Sequence, residues 1–285
     1  MTLKHKNNLH SVLMSKKLIP LQLKLIIQTM NKQFVILSLA TAALLATSCA
    51  QQQYSMADIQ RSRIVIDQHY DANPDKEATA FLAPYKQKVD EIMSPVMGVA
   101  ACDMPRFRPE SPLSNLLADI LVYSSTRFGE KPDFAVYNMG GIRASLSKGN
   151  VTRGDILDIA PFENKICFLT LSGTDVMELF GQMAMVGGEG VSHSIRLEIS
   201  KDGKLLSASI NGKPVDPNAS YRITTIDYLA QGNDHLEAFK KKTNFVSPQN
   251  EENNARFLIE EYFKDMHAEG KAVEAKVEGR VSVKK

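Results

Sequence analysis

The sequence predicts an α+β fold, with a single mixed-sheet domain over residues 61–285. Helix-type and strand-type segments follow one another without strict alternation, which is typical of this class. Neither a low-complexity linker nor an internal repeat divides residues 60–285. Of the 285 residues, 44% are hydrophobic and 23% are charged. This ordinary globular composition excludes collagen-like, disulfide-dense and wholly disordered proteins.

The predicted elements of the first half follow from spacing and turn residues. Arg63–Asp67 is a short β-branched run and predicts a strand. Pro74-Asp75 then begins an amphipathic helix that ends before Pro95. Residues 96–102 predict a strand, and Ser111-Pro112 supply a cap and a first-turn proline for a helix that continues to about residue 128.

The second half is richer in predicted strands. Asn211-Gly212 stands between two strand-like runs and is a strong hairpin signal. Apolar residues at helical spacing predict helices at 173–185 and near 251–266. The predicted strands are 134–137, 166–171, 195–199, 205–210 and 221–226.

The net charge of the whole chain is misleading because its first residues are basic. The formal net charge is +2, yet residues 1–29 contain five lysines and no acidic residue. Without those five, 29 of the 34 basic residues remain against 32 acidic ones, a net charge of −3. Because a mildly acidic body does not attract phosphate-rich polymers, we expect no nucleic-acid partner.

The segment from Met30 to Cys49 has the layout of a secretory signal. Lys32 supplies the positive charge, Phe34 to Leu45 form an apolar region, and three small residues precede the cysteine. The apolar region is well short of the roughly 20 residues that a membrane-spanning helix needs. The arrangement resembles a bacterial lipobox, although Ala46 stands where leucine is usual. We therefore expect lipidation of Cys49 and attachment to a membrane.

This interpretation sets the expected domain boundaries. We expect residues 1–29 to be an upstream gene-start extension, 30–48 a lipoprotein signal peptide, 49–60 a polar tether and 61–285 the folded domain. The expected location is the cell envelope of a Gram-negative bacterium, with the protein lipid-anchored and either periplasmic or at the cell surface. Cys102 and Cys167 then form either a disulfide or two small buried apolar residues, and both readings stay open.

Four segments carry residues suited to ligand binding. Asn138 to Arg143 place two glycines and an arginine after a strand, which suits either a phosphate or a plain turn. Phe162 lies on a loop, where the alternative is a core phenylalanine. Tyr228 and Asp234 flank a glycine-containing turn. The aspartate is suited either to accept hydrogen bonds from sugar hydroxyls or to cap a turn or helix. Arg106-Phe107-Arg108 form a basic cluster before a helix N-terminus.

Taken together, these segments resemble one family. The ordered motifs NMGGIR, VTRGDILDIAPFEN, LSGTDVMELF, YLAQGNDHLEAF and VEGRV are similar to the C-terminal, substrate-binding domain of the 5′-nucleotidase family. That family includes UDP-sugar hydrolases and cyclic-nucleotide phosphodiesterases. The resemblance extends from about Arg61 to Val283, nearly the whole expected mature chain.

The resemblance implies a role for each matching residue. Phe162 and Tyr228 would sandwich the base, and Asn138 would contact it. Gly141 and Arg143 would line the ribose-phosphate region, and Asp234 would hold the ribose. Arg106 matches the first family arginine, with Arg108 as its possible substitute. The implied ligands are nucleosides or nucleoside 5′-phosphates.

Two substitutions depart from the family pattern. Tyr228 replaces the more usual phenylalanine, which preserves stacking. Asn233 replaces a glycine, and asparagine tolerates left-handed backbone better than most residues.

Family members normally hold two divalent metal ions in a separate N-terminal metallophosphoesterase domain. Asp67-Gln68-His69 fits one of its motifs in isolation, and Gly232 to His235 contain suitable residue types in the wrong order, so we interpret both as chance. We expect no catalytic residue, cofactor or metal site in this chain, and the two metals in a separate metallophosphoesterase chain. We expect the protein to act in nucleotide catabolism as the substrate-binding half of a split 5′-nucleotidase. The alternatives are a stand-alone nucleoside or nucleotide binder without hydrolysis and an interaction or structural lipoprotein.

Overall fold

The computed structural model describes residues 28–30, 32, 34–41 and 58–284. The chain divides into two units at Ala72/Asn73, and each is described by itself. The predicted lipidation site Cys49 lies outside the described residues, as do most of residues 1–29, residues 42–48 of the predicted signal peptide and the tether as far as residue 57. The described residues between 28 and 41 are helical and exposed. None of the helices in the described ranges is both long enough and apolar enough to cross a membrane.

The prediction of a strand at Arg63–Asp67 was wrong. Residues 58–66 are irregular, and a short 3₁₀ helix follows at Gln68–Ala72. Ile64, Val65 and Ile66 are all exposed. β-Branched residues favour extended backbone, but a strand also needs an edge to pair with, and this segment pairs with no strand among the described residues.

Residues 73–285 contain six α-helices and eleven strands in the part that the structure describes. The predicted helices and the predicted strands from residue 96 onward are all present, with ends shifted by a few residues. The helices are α1 (Lys76–Met93), α2 (Pro112–Ser125), α3 (Arg153–Ile159), α4 (Gly173–Met185), α5 (Asp227–Ala230) and α6 (Ala255–Ala268). The strands are β1 (Val96–Ala100), β2 (Phe134–Tyr137), β3 (Gly149–Thr152), β4 (Ile166–Ser172), β5 (Gly190–Val191), β6 (Ile195–Ser200), β7 (Leu205–Ile210), β8 (Lys213–Pro214), β9 (Ser220–Ile226), β10 (Thr243–Val246) and β11 (Val281–Lys284).

The strands form three mixed or antiparallel sheets, which confirms the predicted α+β class. The central sheet has the order β10-β4-β9-β2-β5, and only β2 and β9 in it are parallel. A second sheet has the order β11-β6-β7-β8, and β1 pairs with β3. Asn211 and Gly212 join β7 to β8 with φ of 51° and 73°, the left-handed geometry of the predicted hairpin turn.

Helix α2 packs into the core, whereas α1 does not. Ser111 caps α2, and its apolar face is buried, including Leu113, Leu117 and Leu121. Helix α1 begins at the cap Asp75 and contains no buried residue. Its large apolar side chains stay exposed: Phe81, Leu82, Tyr85, Val89 and Ile92. Amphipathic spacing therefore predicted both helices, but not which of them is covered.

A cluster around the buried side chain of Arg280 ties the C-terminal segment to α2. The Arg280 side chain is 3% exposed and donates to Asp119 through both terminal nitrogens, at 2.9 and 2.6 Å. Its Nε donates to Glu278 at 3.0 Å, and Nη1 donates to the carbonyl of Val191 at 2.8 Å. We call this set the Arg280 cluster. It gives the VEGRV motif a structural role.

The two described cysteines are free thiols. Cys167 is buried in β4, and Cys102 is half-buried. Burial raises the pKa of the Cys167 thiol, so it stays protonated at neutral pH. Of the two readings that the sequence left open, the structure has the unpaired one.

Candidate functional site

The topology of the central sheet brings three loops to one edge. Strands β2 and β9 are parallel, so their carboxyl ends meet there. Asn138 follows β2, and Tyr228 lies in α5 directly after β9. Strand β4 runs antiparallel to β9 with Ile166 opposite Ile226, so the loop that precedes β4 reaches the same edge and carries Phe162. Residues far apart in the chain thus converge on one place.

A cavity of about 330 Å³ opens at this edge. Six of the eight residues predicted to bind substrate line it: Asn138, Gly141, Arg143, Phe162, Tyr228 and Asp234. Phe162 is 46% exposed and Tyr228 is 37% exposed, although large aromatic side chains are normally more buried. The cavity therefore presents two accessible aromatic surfaces together with a carboxylate and a guanidinium.

Asp234 is held on both carboxylate oxygens. The Tyr228 hydroxyl donates to Oδ1 at 2.8 Å, and Asn138 Nδ2 donates to Oδ2 at 2.8 Å. Gly232, Asp234 and His235 have φ of 85°, 55° and 64°, so the left-handed residues of this turn flank Asn233 and do not include it, unlike what the family pattern suggested. Asn233 instead donates through Nδ2 to the Tyr228 carbonyl at 2.7 Å. The turn is thereby fastened to the residue that begins it.

Gly141 permits a close approach that no other residue would allow. A Cβ at this position would lie 2.5 Å from Asn138 Oδ1, a distance that real contacts do not show. At neighbouring Gly140 the nearest atom would be Asp234 Oδ2, at an ordinary 3.6 Å. The requirement for glycine is therefore steric at 141 and weaker at 140.

Arg143 lies beside the Phe162 ring. Its guanidinium carbon is 6.0 Å from the ring centroid, and Nη1 donates to the Gly140 carbonyl at 3.2 Å. A cation over an aromatic face is weakly attracted to it. These contacts use one of the five N–H donors of the arginine, so the rest of the guanidinium is available to an anionic ligand.

The structure does not bring Arg106 and Arg108 into the cavity. Arg106 is exposed and donates through Nε to the carbonyl of Ile142, in the loop after β2, at 2.9 Å. Arg108 pairs with Glu189 at 2.7 Å. Each arginine therefore contacts a residue next to the cavity, Ile142 or Glu189, and neither lines the cavity itself.

Two residues that the sequence analysis did not single out belong to this region. Asn164 lines the cavity two residues after Phe162, within a motif already noted for its aromatic residue. Glu189 is buried and accepts a hydrogen bond from the backbone N–H of Met139. Burial raises the pKa of Glu189, the Arg108 charge opposes that shift, and the charge of Asp234 adds to it. Glu189 lies 50 residues from Met139 in sequence, so only the fold could reveal their contact.

A larger cleft of about 780 Å³ lies between α1, α3 and α6. Four basic and four acidic side chains line it, and several neutralise one another, as in the pairs Arg153–Glu260 and Arg127–Glu261. It lacks the paired accessible aromatic residues of the smaller cavity. Across the described residues, no group of three or more His, Cys, Asp or Glu side chains is arranged to hold a metal ion.

The model of the 5′-nucleotidase C-terminal domain matches residues 96–241, just over half of the chain. The chain belongs to this family. The match contains every residue that lines the cavity, and it leaves out α1 together with Glu278 and Arg280.

Relatives and solved structures agree with this assignment. The chain is 34% identical to endonuclease YhcR of Bacillus subtilis over 55% of this chain and 13% of that protein. It is 30% identical to protein UshA of Yersinia enterocolitica over 65% of this chain and 34% of UshA. The structure superimposes on a 5′-nucleotidase precursor from Thermus thermophilus with a TM-score of 0.64 and 26% identity, over 75% of this chain and 44% of that one. The chain thus spans about a third or less of the length of these two curated relatives.

Proposed function

We propose that this chain binds nucleosides or nucleoside 5′-phosphates in the cavity at the edge of the central sheet. The observation that carries the proposal is the convergence of two accessible aromatic rings, one carboxylate and one guanidinium on a cavity of about 330 Å³. A nucleotide has one matching part for each group: an aromatic base, a sugar with hydroxyl donors, and a phosphate.

Each side chain then has a distinct task. Phe162 and Tyr228 stack against the base, a contact worth about 1–3 kcal/mol per base. Asp234 accepts hydrogen bonds from the sugar hydroxyls. Arg143 meets the phosphate through its planar fork. Glu189 holds the backbone of Met139 and so fixes the loop that carries Asn138 and Gly141.

We further propose that the chain acts in nucleotide catabolism as the substrate-binding half of a split phosphohydrolase. A separate metallophosphoesterase chain with two divalent metal ions would supply the reaction. The exposed apolar face of α1 supports such a partner, because exposed apolar patches of this kind mark interaction surfaces. The sequence signal that ends at Cys49 supports a lipid anchor in the envelope of a Gram-negative bacterium.

A stand-alone binder is the second candidate. It is favoured by the fact that one chain brings both accessible aromatic rings, the carboxylate and the guanidinium to a single cavity. The two functions make opposite predictions on mixing with a metallophosphoesterase from the same envelope, since only the split enzyme would then hydrolyse AMP.

The first test is calorimetric titration of the protein with adenosine and AMP, without added metal, beside Phe162→Ala. Saturable binding that weakens in the variant supports the proposed ligand class. Absence of binding to both ligands would contradict it and would favour a structural lipoprotein. Mixing assays with a metallophosphoesterase then separate the split enzyme from the binder.

A further inference from the structure

The hydroxyl of Tyr228 makes a contact that stacking does not require. It donates to Asp234 Oδ1 at 2.8 Å, although the ring itself is more than one-third exposed. A phenylalanine at this position would present the same ring to a base. The hydroxyl therefore has its effect on the carboxylate and not on the stacking surface.

This contact makes the ring and the carboxylate one unit. Asn138 holds the second oxygen of Asp234, so the carboxylate cannot turn without breaking a hydrogen bond. Asn233 Nδ2 donates to the Tyr228 carbonyl, which joins the two ends of the same turn a second time. The aromatic wall and the acid are thereby kept at a constant separation before any ligand arrives.

The clamped carboxylate keeps capacity for a ligand. An ionised carboxylate offers about four acceptor sites, and the two hydrogen bonds use one on each oxygen. One further site remains on each oxygen. Two neighbouring acceptors in a set orientation match the two hydroxyls of a vicinal diol.

We propose that the Tyr228 hydroxyl is a positioning group that makes this pocket select ligands in which an aromatic base and a vicinal diol occur together. The favoured class is then ribonucleosides and ribonucleotides over their dideoxy counterparts. The inference rests on the proposed function and deepens it. Preorganisation of this kind increases affinity because less freedom is lost on binding.

The protonation state of Tyr228 agrees with this role. Its hydrogen bond to Asp234 raises the pKa of the phenol above its ordinary value of 10.0. At neutral pH the hydroxyl therefore keeps its proton and acts as a donor to the carboxylate.

The test compares the protein with Tyr228→Phe, using adenosine and 2′,3′-dideoxyadenosine as probes in calorimetric titrations. We expect the variant to bind adenosine about five- to tenfold more weakly, the equivalent of one hydrogen bond. Its affinity for the dideoxynucleoside should change by less than about twofold, because that ligand lacks the two hydroxyls that would donate hydrogen bonds to Asp234.

Tyr123→Phe is the matched control. The Tyr123 hydroxyl also donates to an aspartate, Asp265, at 3.0 Å, and that ring is likewise partly exposed. The pair lies outside the cavity, so its loss should leave both affinities unchanged. Asp234→Ala and the double variant Tyr228→Phe/Asp234→Ala, together with Tyr228→Phe and the unmodified protein, form a double-mutant cycle. Once the carboxylate is absent, removal of the hydroxyl should have no further effect on adenosine.

The outcomes separate this inference from the function on which it rests. If the unmodified protein binds both ligands and Tyr228→Phe weakens them equally, the positioning role is overturned and the nucleoside site stands. Tighter binding of adenosine by the variant would also overturn it, since the hydroxyl would then compete with the sugar. If the unmodified protein binds neither ligand, the proposed function fails and this role fails with it.

Discussion

The ligand cavity and the Arg280 cluster are both groups of polar side chains at the ends of strands, but they use their hydrogen bonds differently. Arg280 is buried and donates to Asp119, Glu278 and the Val191 carbonyl. In the cavity, Arg143 makes one hydrogen bond within the protein and lies on an accessible surface. One region holds the fold together, and the other leaves donors and aromatic faces for a ligand. The comparison teaches that the number of internal partners separates the structural arginine, Arg280, from the arginine left free for a ligand, Arg143.

The largest expected effect comes from opening the Arg280 cluster. Arg280→Met removes a guanidinium that is 3% exposed and leaves the Val191 carbonyl, Asp119 and Glu278 without its hydrogen bonds, and loss of such a network is strongly destabilising. We expect a loss of about 3 kcal/mol in the free energy of unfolding, measured by urea denaturation. Arg61→Met, at an exposed position, is the control. A loss as small as that of the control would remove the distinction between the two regions.

Truncation of an aromatic side chain in the cavity should weaken ligand binding and leave the stability of the fold nearly unchanged. Phe162→Ala is expected to weaken adenosine binding by about 1–3 kcal/mol, while the free energy of unfolding changes by less than about 1 kcal/mol because the ring is half-exposed. Phe245→Ala is a close match, since Phe245 is also 46% exposed but lies on the edge strand β10. Titration and denaturation of both variants check the prediction. Equal ligand affinities in the two would contradict it.

A neighbouring pair of glycines tests whether part of the cavity is itself tightly packed. Gly141→Ala drives a methyl group into the Asn138 amide and should cost about 1–3 kcal/mol of stability. Gly140→Ala meets only an ordinary contact and should cost less than about 0.5 kcal/mol. Thermal and urea denaturation of the two variants measure the difference. If both tolerate alanine equally, the close approach at Gly141 is not a constraint.

The smallest expected effect is on the pH dependence of the free energy of unfolding, to which one glutamate in each region contributes with opposite sign. Burial raises the pKa of Glu189 beside the cavity above 4.5, so its contribution to stability is greatest at low pH and falls as pH rises through the folded value. Burial also raises the pKa of Glu278. The hydrogen bonds and charges of His193 and Arg280 lower it by more, so the pKa of Glu278 lies below 4.5. The Glu278 contribution is therefore present above pH 4.5 and is lost as pH falls through its folded pKa.

Urea denaturation between pH 7 and pH 4 measures this contrast in two isosteric variants. As pH falls, the stability deficit of Glu278→Gln should shrink, whereas that of Glu189→Gln should grow. Parallel trends in the two variants would show that the regions do not differ in the way proposed.

The fold was predictable where local patterns were strong. The capped helix at Pro112 and the turn at Asn211-Gly212 carry their own signals, and both occur as predicted. Local propensity alone did not decide every strand, as two segments show. The segment RIVID at 63–67 has the stronger β propensity but stays irregular, whereas VSVK forms β11 because β6 offers it a parallel edge.

The residues by themselves predicted the site only as a set of residue types, and the resemblance to the family implied that they meet around one ligand. Residues 138–143, Phe162, Tyr228 and Asp234 stood out through their motifs, but the order of the strands places them around one cavity. Arg108 shows where local sequence falls short. Its partner Glu189 lies 81 residues away, and no local pattern shows that the two side chains meet.

Replacement of the half-exposed ring of Phe162 would allow ligand binding in the cavity to be followed by fluorescence. The chain contains no tryptophan, so Phe162→Trp would place a single indole fluorophore against the incoming ligand while keeping an aromatic surface. Its emission would then report occupancy directly, free of any background from other indoles. Stopped-flow mixing of such a variant would resolve arrival and departure of the ligand as separate rates, which equilibrium heats combine into one constant.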